Sequence, residues 1–303
     1  MSSVLQRLPT GARVVVIRLR SLGDCVLTTP ALQLLKQARP DLRVAVVVEP
    51  PFRAVFEDNP DVAELLDPDA DTIRDWHPEL CLNLHGGTRS MILTAVSGAR
   101  VRAGFAHHRY GWIYHHRIPR AQQILGVERT VHTAEHLASA MFYLGVPAGE
   151  IPRARLFAEP PPAGAPYAIL HPFASTPEKT WPAESFLELA RWLRESCGLH
   201  AVFLGGAEDD LQPFHEYRTL AGAPLAEVKS WLAGAALFVG NDSGPAHMAA
   251  AFHLPVVVIF GDSDPVVWAP WKTPSRVVQA QGSIDQVPVA EVAAAVEKLG
   301  VAA

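Results

Sequence analysis

Short β-branched runs alternate with segments of helical period, stop at a proline-rich stretch, and then resume. Residues 13–19 (RVVVIRL) read as a buried strand bounded by Gly11. Residues 25–38 follow, with Leu27, Ala31, Leu34 and Ala38 at helical spacing. The same reading predicts a strand at 42–48, a helix at 51–58, a strand at 80–84, and helices at 88–97 and 132–144. Six prolines between 146 and 166 interrupt the pattern, and the run 160–162 stiffens an extended connector. Beyond it come strands at 167–170, 201–204, 237–239 and 256–260, with helices at 182–197 and about 243–252. Pro182 is expected in the first turn of its helix, with Phe186, Leu189, Leu193 and Cys197 on one face. Alternation of this kind implies a parallel sheet covered on both faces, here twice over. The expectation is an α/β protein of two domains, 1–150 and 151–303, with a ligand cleft between them.

Composition narrows the class. The chain has 303 residues, 49% of them apolar and 19% charged, which suits a globular protein with ample core. A net charge of −5 argues against a general nucleic-acid binder. The first apolar run, 14–19, is too short for a signal core or a membrane span. Cys25, Cys81 and Cys197 are odd in number and far apart, so they read as reduced thiols in a cytoplasmic protein.

Three segments carry the chemistry. In the first, Arg18, Arg20, Ser21, Gly23 and Asp24 follow the first strand. Ligands of open α/β sheets sit at the carboxyl ends of strands, which turns Asp24 toward the cleft. Gly23 would give a tight turn, and Asp24 either caps the helix or takes a hydroxyl proton late in a substitution. In the second, 172–182 (PFASTPEKTWP), Ser175 and Thr176 offer hydroxyls to phosphate, and Lys179 a charge to a leaving diphosphate. Lys179 is otherwise a solvated surface lysine, and Trp181 reads as a packing residue. In the third, 238–247 (FVGNDSGPAH), Ser243 and Gly244 open a helix whose free N–H groups and dipole favour an anion. Asp242 then caps or orients, and His247 shares a face with Ser243, four residues earlier. The alternative is a capped helix with a partly buried histidine.

Three weaker signals accompany these. The 205–210 turn (GGAEDD) supplies an acid for ribose hydroxyls, or is a solvated turn. Residues 132–136 (HTAEH) match the zinc pattern H-x-x-E-H, with His132 and His136 as its ligands. Residues 107–117 crowd His107, His108, Arg109, Tyr110, Trp112, His115, His116 and Arg117 together. They contact an anionic acceptor or form an irregular surface loop.

Taken in order, residues 17–32, 178–182, 240–251 and 261–265 resemble glycosyltransferase family 9, the ADP-heptose:lipopolysaccharide heptosyltransferases. The resemblance covers nearly the whole chain. It implies a GT-B fold, two Rossmann-like domains with parallel sheets facing an interdomain cleft. It implies inverting transfer from an ADP-sugar to a hydroxyl of a glycan or glycolipid acceptor, with no cofactor and no metal. By position, Asp24 looks like the general base and Lys179 like the cation near the diphosphate. Ser175, Thr176, Asp242, Ser243, Gly244 and His247 fall on the donor side, and the ribose acid near Asp209 or Asp210. Arg18, Arg20, Ser21 and Gly23 fall on the acceptor side. A cytoplasmic enzyme touching the inner-membrane surface transiently is also implied. The competing readings are a sugar-nucleotide epimerase or hydrolase on the same scaffold, a non-catalytic ADP-sugar binder, and a zinc peptidase built on His132 and His136.

Overall fold

The computed structural model describes residues 3–301. The chain forms two compact units, Met1–Arg155 and Leu156–Ala303, dividing inside the proline-bearing connector.

The N-terminal unit holds strands β1 (Arg13–Ile17), β2 (Arg43–Val47), β3 (Glu64–Leu66), β4 (Leu80–Asn83), β5 (Val101–Phe105) and β6 (His116–Ile118). Its helices are α1 (Val4–Arg7), α2 (Leu22–Ala38), α3 (Ala70–Asp75), α4 (Thr88–Val96), α5 (Ala121–Leu125) and α6 (Thr133–Leu144). All strands pair in parallel, in the order β3-β2-β1-β4-β5-β6. The β-branched run of β1 is central, and Val14 to Ile17 are wholly buried. Helix α2 packs on α6 and buries residues on nearly every side, as a helix apolar all round must.

The C-terminal unit holds β7 (Tyr167–His171), β8 (His200–Gly205), β9 (Arg218–Ala221), β10 (Leu237–Asn241), β11 (Val256–Phe260) and β12 (Ser275–Gln279). Its helices are α7 (Ala183–Cys197), α8 (Leu225–Ala233), α9 (Gly244–Ala251), α10 (Pro265–Trp268) and α11 (Val289–Glu297). The sheet is again parallel, in the order β12-β11-β10-β7-β8-β9. Phe186, Leu189 and Leu193 of α7 enter a core shared with Trp181, Phe203 and Phe214.

Counted within its own unit, each sheet runs 3-2-1-4-5-6, because β7 to β12 are first to sixth of theirs. This is the doubly wound order, whose winding reverses between the first and fourth strands, and ligands settle outside the carboxyl ends of strands there. The places to search are therefore the loops after β1 and β4, and those after β7 and β10.

Several local expectations change. Residues 51–58 form not an α-helix but a 3₁₀ segment, Pro50–Val55, followed by Asp58 at φ 62°, a conformation that ends helical winding. Gly23 makes no turn; it lies buried in the first turn of α2. Pro182 stands one place earlier than expected, as the N-cap of α7. No helix among the described residues is long and apolar enough to cross a membrane.

Candidate active site

After β1 the chain continues in register, with the Arg18 N–H donating to the Val47 carbonyl at 3.1 Å. The Arg18 side chain is buried. Its Nη2 donates to the Leu84 carbonyl at the end of β4, and Nη1 lies 3.6 Å from Asp24 Oδ1. Burial lowers the guanidinium pKa, and the Asp24 charge opposes that shift. Ser21 is the N-cap of α2, yet its hydroxyl donates to Asp24 Oδ2 at 2.9 Å instead of accepting from the helix. Asp24 is the third helical residue, so it does not fill the capping position itself. Its carboxylate is held between Arg18 and Ser21 and stays 27% exposed, at the carboxyl end of β1 beside the reversal of winding. Arg20 and Ser21 are exposed, while Gly23 is buried.

The β4 loop adds a group that sequence reasoning missed. Asn83 Oδ1 accepts from the N–H groups of His85 and Gly86 at 3.0 and 3.1 Å, shaping the turn that carries His85. The ring of His85 meets the backbone of Arg20. Its pKa is lowered by burial and by the charges of Arg18 and Arg20. Its only sequence signal was its place just after an expected strand.

The histidine-rich segment is a surface turn at 107–110 after β5, a 3₁₀ turn at Gly111–Ile113, and the edge strand β6. His136 stacks on Phe105 at 4.1 Å, and His107 and His108 lie edge to face at 5.0 Å. Burial, then neighbouring positive charge, pushes His108 and His136 down to about 4, so both rings are neutral near pH 7. The H-x-x-E-H pattern serves a helix start. His132 is the N-cap of α6 and accepts from the Ala134 N–H at 3.0 Å. Glu135 accepts from the His132 N–H at 2.9 Å and pairs with Arg129 at 2.6 Å. The zinc-peptidase reading thus fails on geometry: its residues form a capping box and a ring stack. Among the described residues, no three His, Cys, Asp or Glu side chains gather where a metal could bind.

In the C-terminal unit, β7 ends at His171 and the loop 172–182 crosses toward β10. Trp181 anchors it: the backbone N–H donates to Asn241 Oδ1 at 3.1 Å, and Nε1 donates to the Val287 carbonyl at 2.8 Å. Trp181 is fully buried, a packing residue as expected. Within the loop, the Glu178 carbonyl approaches so close to Gly261 that a β-carbon there would lie 2.4 Å from it. Held this way, Lys179 Nζ lies 3.9 Å from Asp242 Oδ2. Burial raises the Asp242 pKa, against the pull of the Ser263 hydroxyl and Lys179. Ser175 and Thr176 stand exposed at the head of the loop.

Ser243 is the N-cap of α9, with Gly244 and Pro245 in the first turn. Its hydroxyl does not cap the helix; it pairs with His171 Nδ1 at 3.2 Å. Burial pushes His171 down to about 4, which keeps the ring neutral and able to share that hydrogen bond. The side chain at this helix end is therefore turned aside, and the dipole faces outward. Asp209 Oδ2 accepts from the Gly206 N–H at 2.7 Å, closing the turn after β8, and its charge reaches His171. His247 is buried, its ring 6.2 Å from that of Trp268. The carboxyl ends of β7, β8 and β10 thus gather Lys179, Asp242, Ser243, His171 and Asp209. A separate hollow of about 560 Å³, lined by Tyr167, Arg194, Arg218 and Trp231, opens at the amino edge of the same sheet.

Comparison with known proteins agrees with this arrangement. The model of glycosyltransferase family 9 (heptosyltransferase) matches residues 71–289. Lipopolysaccharide heptosyltransferase 3 of Escherichia coli K12 is 25% identical over 91% of this chain and 95% of its own length. The glycosyltransferase family 9 structure from Veillonella parvula superposes with a TM-score of 0.85 at 21% identity, covering 95% of this chain and 97% of its own. The structure of E. coli heptosyltransferase WaaC with ADP gives 0.79 at 20% identity, covering 95% and 100%. The fold is that of the GT-B enzymes, and neither the epimerase nor the peptidase reading is favoured. The doubly wound order of both sheets and a family match across most of the chain converge on one statement: this protein belongs to glycosyltransferase family 9, the heptosyltransferases.

Proposed function

We propose that this chain moves a heptosyl group from ADP-heptose to a hydroxyl of a lipopolysaccharide-core acceptor, with inversion and without a metal or other cofactor. The observation that carries the reading is the gathering of Lys179, Asp242, Ser243 and His171 where the C-terminal sheet reverses its winding. A diphosphate there meets the amino end of α9 at Ser243 and Gly244 and the ammonium of Lys179. Ser175 and Thr176 add hydroxyls, Asp209 receives the ribose, and His247 of α9 completes the donor side. In the N-terminal unit Asp24 is the base. As the acceptor oxygen attacks the anomeric carbon, the carbon–phosphate-oxygen bond breaks, ADP leaves with the electron pair, and the hydroxyl proton passes to Asp24. Arg18 orients that carboxylate, while Arg20 and Ser21 meet the acceptor. The work is cytoplasmic, where nucleotide sugars are made, and involves no nucleic acid.

The test is a thermal-shift panel of ADP-heptose, UDP- and GDP-sugars, followed by product analysis with and without acceptor. ADP-heptose is expected to raise the melting temperature most, because a ligand of the native state alone stabilises it. ADP release is expected to require acceptor and to persist in EDTA. Turnover of donor alone would instead favour an epimerase or hydrolase. Lys179→Ala is expected to weaken donor binding and slow transfer together.

A further inference from the structure

We propose that the β6 edge of the N-terminal unit docks on an anionic lipid bilayer, with Trp112 and Ile92 entering the interface and arginines meeting the headgroups. Between Glu79 and Glu128 the sequence contains no Asp or Glu and six arginines, although the whole chain carries −5. This acid-free stretch builds α4, β5, the 3₁₀ turn and β6. The turn packs on α4 through Met91, Ile113 and Tyr114. The neighbours of those buried residues point outward: Ile92 is 58% exposed and Trp112 is 74% exposed. A tryptophan left in water on a turn is costly to solvation and is the side chain best suited to a membrane–water boundary.

The charges lie on the same side. Arg102 Nε donates to the Ile113 carbonyl at 3.0 Å, and the Tyr114 ring lies over Gly104, so the turn covers the Arg102 and Gly104 face of β5. Arg117 is the parallel partner of Gly104, which puts it on that face at the open edge of the sheet. Arg109 stands over the Tyr110 ring at the start of the turn. Arg89 is neutralised by Glu49 and is left out of this account. An apolar tip accompanied by arginines, in a stretch of sequence without an acid, complements an anionic bilayer, each arginine adding affinity and the tryptophan adding depth.

The experiment is co-sedimentation of the full chain with vesicles of phosphatidylcholine, and of phosphatidylcholine with phosphatidylglycerol at two to one, without donor or acceptor. Its outcome is thus independent of the transfer reading. Binding is expected to the mixed vesicles only and to fade as salt is raised. Arg109→Gln with Arg117→Gln is expected to lower affinity by roughly fivefold per arginine. Trp112→Ala is expected to lower it further and to leave the melting temperature unchanged. Arg191→Gln with Arg276→Gln, exposed arginines of the C-terminal unit, is the control and is expected to bind as the unaltered chain does. No sedimentation, equal binding to both vesicle types, or equal losses in the two arginine pairs would overturn the proposal.

Discussion

At the scale of single residues, the site rests on side chains diverted from their ordinary local duties. Ser21 and Ser243 are both N-caps, and neither caps its helix. One hydroxyl holds Asp24 at 2.9 Å and the other meets His171 at 3.2 Å. Serine at this position normally stabilises a helix by about 1 kcal/mol, so both helices forgo that contribution at the carboxyl end of a strand. With Asp24 as base, Asp24→Asn keeps the side-chain size and one of the two oxygens that meet Arg18 and Ser21, but removes the carboxylate that takes the proton. The turnover number is expected to fall by about 10²- to 10⁴-fold, with ADP affinity in equilibrium titration nearly unchanged. A variant that turns over at the parental rate removes Asp24 from the role.

At the scale of elements, the loop between β7 and α7 is fixed from beneath, not by its own sequence. Asn241 and Val287 hold Trp181, and the bare Cα of Gly261 admits the Glu178 carbonyl. Gly261→Ala places a methyl carbon within 2.4 Å of that oxygen. The Pro177–Lys179 turn must then shift, carrying Lys179 away from Asp242. Donor KM is expected to rise about tenfold or more, at a stability cost of roughly 1–3 kcal/mol. Steady-state kinetics beside a denaturant melt separates the two effects, and an unchanged KM contradicts the account.

This scale also explains what was legible in the sequence. The strands β1, β4, β7, β10 and β11 were readable because burial on both faces leaves near-continuous apolar runs. The edge strands and β5 were not. Glu64–Leu66, His116–Ile118 and Arg218–Ala221 are three or four residues long and carry charge, so their pairing is decided by the neighbouring strand. Asp24, Lys179, Asp242 and Ser243 stood out because they lie in hydroxyl- and glycine-rich stretches that follow apolar runs. His85 just after β4 and His171 at the end of β7 are lone histidines, and only the shared strand order reveals that both sit beside a winding reversal. The H-x-x-E-H match misled because a capping box and a metal motif use the same spacing.

At the scale of the whole molecule, burial has left three histidines neutral: His108 and His136 in one unit and His171 in the other. Each falls from an ordinary 6.5 to about 4 on folding. Since the unfolded chain binds these protons more readily, their contribution to stability is intact above about pH 6.5. It is lost as pH falls through about 4. Melting temperature is therefore expected to be level near neutrality and to drop across that window, and His171→Gln is expected to flatten the drop. A melting temperature that stays level down to pH 4.5 contradicts the neutral assignment. Both units repeat one winding, yet each keeps its own core and its own charged strand ends. Inheritance can act on such a chain half by half: a change at the strand ends of one unit leaves the core and the strand ends of the other as they were.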